Sequence, residues 1–268
     1  HGGGLELPPE QSGPNQSGGW LYLPHTLGVS MVRMDLDRFS SRRSTVYGRD
    51  GVVATSQPLA AEAGIETLRE GGNAFDAAVA TAAALNVVEP TSTGIGGDVF
   101  ALYRTADGEV GAMRACGGAP EGATRERVRD SLAAENGEDA AAVEMPMHGP
   151  HTVTVPGTAR GWETTVRELG RLTLADVLEP AIGYATDGYP VSGVVSAQWQ
   201  HGEELFTDDH ARAAFLPADR APRVGETVSL PRLGRTMERI AEEGADVVYE
   251  GEVAEAIAEE VQSKGGFM

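Results

Sequence analysis

The strongest pattern in the chain is an apolar run between polar punctuation marks. From Ala74 to Val88, Phe75, Ala77, Ala78, Val79, Ala80, Ala82, Ala83, Ala84, Leu85, Val87 and Val88 leave no polar side on a helical wheel; only Asp76, Thr81 and Asn86 interrupt them. A surface helix carries one apolar stripe, so apolar character all round predicts a helix buried within the molecule. The run is shorter than the roughly 18 apolar residues that mark a membrane span. Asn73 is placed to cap it and Asp76 to meet the free N–H groups of its first turn. Pro90 ends it, and the glycine turn Thr93-Gly94-Ile95-Gly96-Gly97-Asp98 leads into a strand from Val99 to Arg104.

Other elements follow from the same reading. Val46–Thr55 reads as a first strand with a turn at Gly48, Asp50 and Gly51; Ser56 and Pro58 then open a helix. Ala61, Ile65 and Leu68 recur at i, i+4 and i+7 as its expected buried face. Val110–Arg114 pairs with Val99–Arg104 through the turn dipeptide Asp107-Gly108. Residues 121–150 read as loop or short helix. A short strand Val153–Val155 precedes a helix from Thr158 to Leu169, with Trp162, Val166 and Leu169 on one face. Thr173 and Asp176 form a capping box for the next helix, which Pro180 should kink or break. Residues 191–228 read as irregular, and two helices follow, near Arg232–Glu243 and Val253–Lys264. Early strands and later helices predict a layered α/β or α+β protein.

Charge narrows the function. Among 268 residues, 40 are acidic and 21 basic, a formal net charge of −19, and Lys264 is the single lysine. So acidic and lysine-poor a composition suits solubility in high salt, where self-repulsion is screened. It argues against nucleic acid and anionic membranes as partners, since both demand a basic surface. Cys116 is the one cysteine, so no internal disulfide exists. Residues 1–30 are rich in Gly, Pro, Ser and Gln and hold no apolar run of signal-peptide type, which predicts a flexible extension over residues 1–45, a functional start at Met31 or Met34, and a cytoplasmic location.

Candidate chemistry is sparse. Gly94, Gly96 and Gly97 do not follow the G-x-G-x-x-G spacing, and no P-loop lysine accompanies them, so they serve backbone geometry rather than phosphate binding. His1, His25, His148, His151, His201 and His210 are scattered; Gly149-Pro150 denies His148 and His151 a shared helical face, and they read as solvated loop residues rather than metal ligands. Cys116 reads as structural at a strand end, since no base is identifiable beside it, although Arg114 would favour a thiolate. Arg114 itself has two open readings: a fork that grips a substrate carboxylate, or a surface arginine paired with one of many acids.

The run Gly51–Arg104 (GVVATSQPLAAEAGIETLREGGNAFDAAVATAAALNVVEPTSTGIGGDVFALYR) resembles the gamma-glutamyltranspeptidase family in its N-terminal, large-subunit half. So do Val155-Pro156-Gly157 with the helix after it, GRLTLADVLEPAIGYATDGYPVS, and EEGADVVYEGEVAEAIAEEVQSKGG. The resemblance implies an N-terminal-nucleophile hydrolase fold, a four-layer αββα sandwich (α+β class), incomplete over residues 46–268. It implies a precursor that cleaves itself, a freed threonine as nucleophile with its own α-amine as base, a small-molecule γ-glutamyl or acyl amide as substrate, and no metal or organic cofactor. The nucleophile and oxyanion hole belong to the small subunit, the missing C-terminal half, with which this chain is expected to form a hetero-oligomer; alone it is expected to be inactive. In the family an arginine four positions before an Ala-Pro proline grips the substrate α-carboxylate. Here that position before Pro120 holds Cys116, and Arg114 lies two further back. A local bulge would restore Arg114 as the clamp. Its absence would suit a related acylase, and a silent fragment serving only as an interaction surface is the third expectation.

Overall fold

The computed structural model describes residues 45–137 and 139–268. The extension expected over residues 1–45, with His1, His25, Met31 and Met34, lies outside them apart from Thr45. Gly48–Met268 form one compact unit. Nine helices stand among the described residues: α1 (Pro58–Arg69), α2 (Ala74–Val88), α3 (Arg125–Asn136), α4 (Thr158–Leu169), α5 (Leu174–Asp187), α6 (Gly193–His201), α7 (Asp209–Phe215), α8 (Pro231–Glu243) and α9 (Gly251–Ser263). Two antiparallel strand pairs accompany them, β1 (Val99–Arg104) with β2 (Val110–Ala115), and β3 (Tyr189–Pro190) with β4 (Thr227–Val228).

Helix α2 is the centre, as its composition requires. Ala80, Ala83, Ala84, Val87 and Val88 are fully out of water. It is packed by α1 on one side and α5 on another, with α4 against it as well, and α8 lies behind α5. Asn73 accepts from the N–H groups of Phe75 and Asp76 while Asp76 accepts from Asn73 N at 2.8 Å, a complete capping box. The same Asp76 carboxylate also accepts from Arg171 N, tying the loop between α4 and α5 to the start of α2.

Several expectations are corrected. Val46–Thr55 forms no strand: among the described residues no neighbouring strand completes a ladder with it, and Val46, Tyr47 and Val52 stand exposed. Gln57, not Ser56, caps α1, accepting from Leu59 N and Ala60 N. The buried stripe of α1 is Ala60, Ala63, Gly64 and Thr67, one position off Ala61, Ile65 and Leu68, which are half-buried. Small residues win that face because α1 and α2 touch backbone to backbone: a Cβ on Gly64 would overlap Thr81 Oγ1 and press on Ala77 O. Val153–Val155 is also not a strand; a 3-10 turn at Pro150–Thr152 precedes it and one hydrogen bond, Val155 N to Gly118 O, holds it. Pro180 does not break α5, which runs unbroken to Asp187. Residues 191–228 are not irregular but hold α6 and α7 around an aromatic cluster, in which Phe206 stacks on Phe215 and Phe215 meets the buried Trp199.

Candidate functional site

Three segments meet at the end of the first hairpin: the glycine turn before β1, the stretch after β2, and the entry to α4. Gly97 O accepts from both Gly157 N (2.9 Å) and Thr158 N (3.1 Å), so the turn docks on the free N–H groups at the start of α4. The approach leaves no room for side chains. A Cβ on Gly157 would overlap the Ala115 carbonyl, one on Gly117 the Val155 carbonyl, and one on Gly161 would press on Ala115 and Val99. These contacts explain why Val155-Pro156-Gly157 precedes the helix: the segment needs no ladder, only a path between β2 and the glycine turn.

Tyr249, just past a 3-10 turn at Ala245–Val248, fastens this junction from the far side. Its hydroxyl donates to Pro156 O at 2.8 Å, and the Arg160 guanidinium lies 5.2 Å from its ring centroid. Burial pushes the Tyr249 phenol up, so it remains a donor at neutral pH. Arg160 is held in turn by Glu163 and Asp246, which raise its pKa, with the Asp246 bond the larger cause. The sequence pattern alone did not single out Tyr249. Its only signal is its place at the end of the short apolar run Val247-Val248.

The hairpin has two unlike faces. Inward, Tyr103 meets the Phe75 ring edge-on at 5.4 Å and Met113 Sδ accepts from Thr165 Oγ1. Outward, Phe100, Leu102, Val110, Ala112 and Arg114 stand exposed, Leu102 at 86%. Arg114 lies opposite Phe100 in the ladder and rises from this apolar face beside a shallow groove; among the described residues it has no ion-pair partner. The surface-pair reading of Arg114 therefore finds no acid among the described residues. The ladder register runs unbroken from Val99↔Ala115 to Arg104↔Val110, and the stretch Cys116–Ala119, where a bulge would shift Arg114 relative to Pro120, lies beyond it. Cys116 is half-buried directly after β2, packed near Gly157.

The histidines do not converge. His148, His201 and His210 are exposed. His151 corrects the solvated-loop reading: its side chain is 2% exposed, its Nε2 lies 2.9 Å from Glu135 Oε1, and its ring lies 5.5 Å from that of Phe267. Hydrogen bonds from His151 and then Ser131 hold the Glu135 carboxyl below its ordinary range. Among the described residues no group of three His, Cys, Asp or Glu is disposed to hold a metal ion, and no helix is long and apolar enough to cross a membrane.

Against known proteins, residues 60–268 match the family model described as Gamma-glutamyltranspeptidase. The chain belongs to the gamma-glutamyltranspeptidase family. It is similar to the glutathione hydrolase proenzyme of Bacillus subtilis (strain 168), 36% identical over 224 residues covering 82% of this chain and 37% of that protein. It is similar also to the acylase ACY 1 proenzyme of Pseudomonas sp. (strain SE83), 33% identical over 232 residues, 86% of this chain and 41% of that one. Among solved structures, the Helicobacter pylori gamma-glutamyltranspeptidase superposes with a TM-score of 0.76 at 32% identity, covering 83% of this chain and 63% of that chain. The cephalosporin acylase from Bacillus halodurans gives 0.77 at 37% identity, covering 92% and 44%. The mixed α/β fold is thus the N-terminal-nucleophile hydrolase type of these family members. The chain spans about two fifths of the length of the curated relatives it matches.

Proposed function

We propose that this chain is the large-subunit part of a gamma-glutamyl transferase or hydrolase acting on glutathione-like amides, and that the catalytic threonine comes from family sequence outside these 268 residues. In that reading the threonine hydroxyl attacks the γ-carbonyl carbon, its own α-amine takes the proton, and the amine of the substrate leaves with a proton. Water or an acceptor amine then attacks the acyl-enzyme ester and frees the threonine. This chain contributes a wall of the site: the β1–β2 hairpin, fixed to α4 through Gly97, with Arg114 as the carboxylate clamp.

The observation that carries the proposal is the outward hairpin face. Phe100, Leu102 and Val110, exposed together around Arg114, which has no ion-pair partner among the described residues, are what a sheet looks like before its second layer is added. That supports the four-layer αββα arrangement, with the remaining family sequence as the opposite layer. The test is reconstitution. The 268-residue chain alone is expected to leave a γ-glutamyl anilide unhydrolysed, and the same chain joined to or mixed with a family small subunit is expected to release the aniline. Turnover by the chain alone would overturn the assignment of the nucleophile.

An acylase is the second reading, favoured by Cys116 standing four positions before Pro120 where the family's clamp arginine is expected. In the completed enzyme, Arg114→Ala should raise KM for γ-glutamyl amides about 10- to 100-fold if Arg114 grips the α-carboxylate. An unchanged KM, with better turnover of acyl amides that lack that carboxylate, would decide for the acylase. Absence of both activities in the reconstituted pair would leave a surface for interaction only.

A further inference from the structure

The C-terminal end of α2 concentrates oxygens that are short of donors. Glu89 is the C-cap, 8% exposed, and its carboxylate sits at the negative end of the helix with no basic residue in the last turn. Among the described residues no arginine, lysine or histidine reaches it; its one side-chain partner is the neutral Ser56 hydroxyl, which donates to Oε2 at 2.6 Å.

One turn back, Asn86 is 7% exposed. Its Nδ2 donates to Ala82 O at 3.2 Å and to Thr93 Oγ1 at 3.1 Å. A carbonyl accepts and never donates, so the Ala82 bond fixes which amide atom is nitrogen, and Asn86 Oδ1 is left as a buried acceptor without a donor. Thr91 Oγ1 is buried and unpartnered as well.

The backbone repeats the pattern. Pro90 has no N–H to return to the Asn86 carbonyl, and Ser92 N and Thr93 N both turn back to Glu89 O. The Val87 and Val88 carbonyls therefore receive no N–H from the turn, although both residues are 0% exposed. Buried carbonyls without donors are rare in folded proteins and call for an explanation. A carboxylate, an amide oxygen, a hydroxyl and helix-end carbonyls gathered in one turn are the hard-oxygen set that suits a group-one or group-two cation. A single carboxylate supplies one negative charge, which a monovalent ion neutralises.

We propose that this turn binds one sodium or potassium ion, held by the Glu89 carboxylate, Asn86 Oδ1, Thr91 Oγ1 and the last carbonyls of α2. The ion joins the end of the central helix to Ser56 at the entry to α1 and to the start of the glycine turn.

The test is thermal unfolding of the 268-residue chain at one ionic strength, with sodium, potassium, calcium or choline as the cation. An ion at ten times its dissociation constant raises the folded-to-unfolded ratio about elevenfold, a rise in midpoint of about 3–5 °C for a chain of this size. We expect that rise, saturating with concentration, for sodium or potassium over choline, and its loss in Glu89→Gln, which retains an acceptor for Ser56. Thr91→Val, which removes one ligand oxygen at nearly constant shape, should weaken the ion dependence and serves if Glu89→Gln does not fold. Sodium-23 relaxation broadening by the wild-type chain, displaced by potassium, is the independent readout. Equal midpoints in choline and the alkali ions, a saturating rise with calcium alone, or an undiminished rise in Glu89→Gln would each overturn the proposal.

Discussion

Two carboxylates illustrate how acidic side chains are used in a chain that carries so many. Asp76 is 0% exposed, yet Asn73 N and Arg171 N donate to it, and it opens α2 at the positive end of the helix. Asp76→Ala strips two backbone donors of their acceptor and empties a fully buried position, and we expect a loss of about 3 kcal/mol in urea unfolding. Glu226 is the exposed counterpart. The Arg220 fork at 2.8 and 2.9 Å and Arg223 N at 2.8 Å lower its pKa to about 2. A depressed folded-state pKa means stabilisation present above the unfolded value, near the ordinary glutamate range, and lost as pH falls toward about 2. Carbon-13 NMR titration should show Glu226 titrating far below the other glutamates, and returning toward them in Arg220→Ala.

At the scale of elements, close approach decides more than hydrophobic size. Gly157 lies against the Ala115 carbonyl, so Gly157→Ala is expected to cost about 2 kcal/mol and to shift the NMR signals of Gly97 and Thr158, whereas Gly193→Ala, which meets open space, should be nearly neutral. The same rule marks what was legible in the sequence. Local signals were read correctly: the Asn73 and Thr173 boxes, the Asp107-Gly108 hairpin, and the all-apolar α2 are each set by neighbours within a few residues. Features set from afar were not. The buried face of α1 is chosen by the alanines of α2, the Val46–Thr55 stretch has no neighbouring strand among the described residues, and His151 packs against Phe267 from the other end of the chain. Arg114 is a candidate from sequence, but its isolation on an apolar face depends on which side of β2 turns inward, and the packing of α4 decides that.

At the scale of the whole molecule, charge and the uncovered hairpin set the expectations. A net charge of −19 opposes compaction, and the screening length falls from about 10 Å at 0.1 M salt to about 3 Å at 1 M. The unfolding midpoint should therefore rise with choline chloride as well as with alkali salts, which separates screening from the specific ion effect. Leu102→Glu on the outward hairpin face should leave the midpoint of the isolated chain within about 2 °C, since that side chain is 86% exposed. It should weaken capture of a family small subunit in a pull-down; unchanged capture would remove the hairpin face from the interface.

The sandwiching of α2 between α1 and α5 also has a consequence in time. Helix α1 lies immediately before α2 in the chain, but α5 begins about 90 residues after α2 ends. At a synthesis rate of about 5–20 residues per second, α2 waits about 5–20 s on the ribosome with the surface that α5 will cover still bare. That interval, far longer than helix formation itself, makes the nascent α1–α2 pair the stage at which this protein most needs a chaperone.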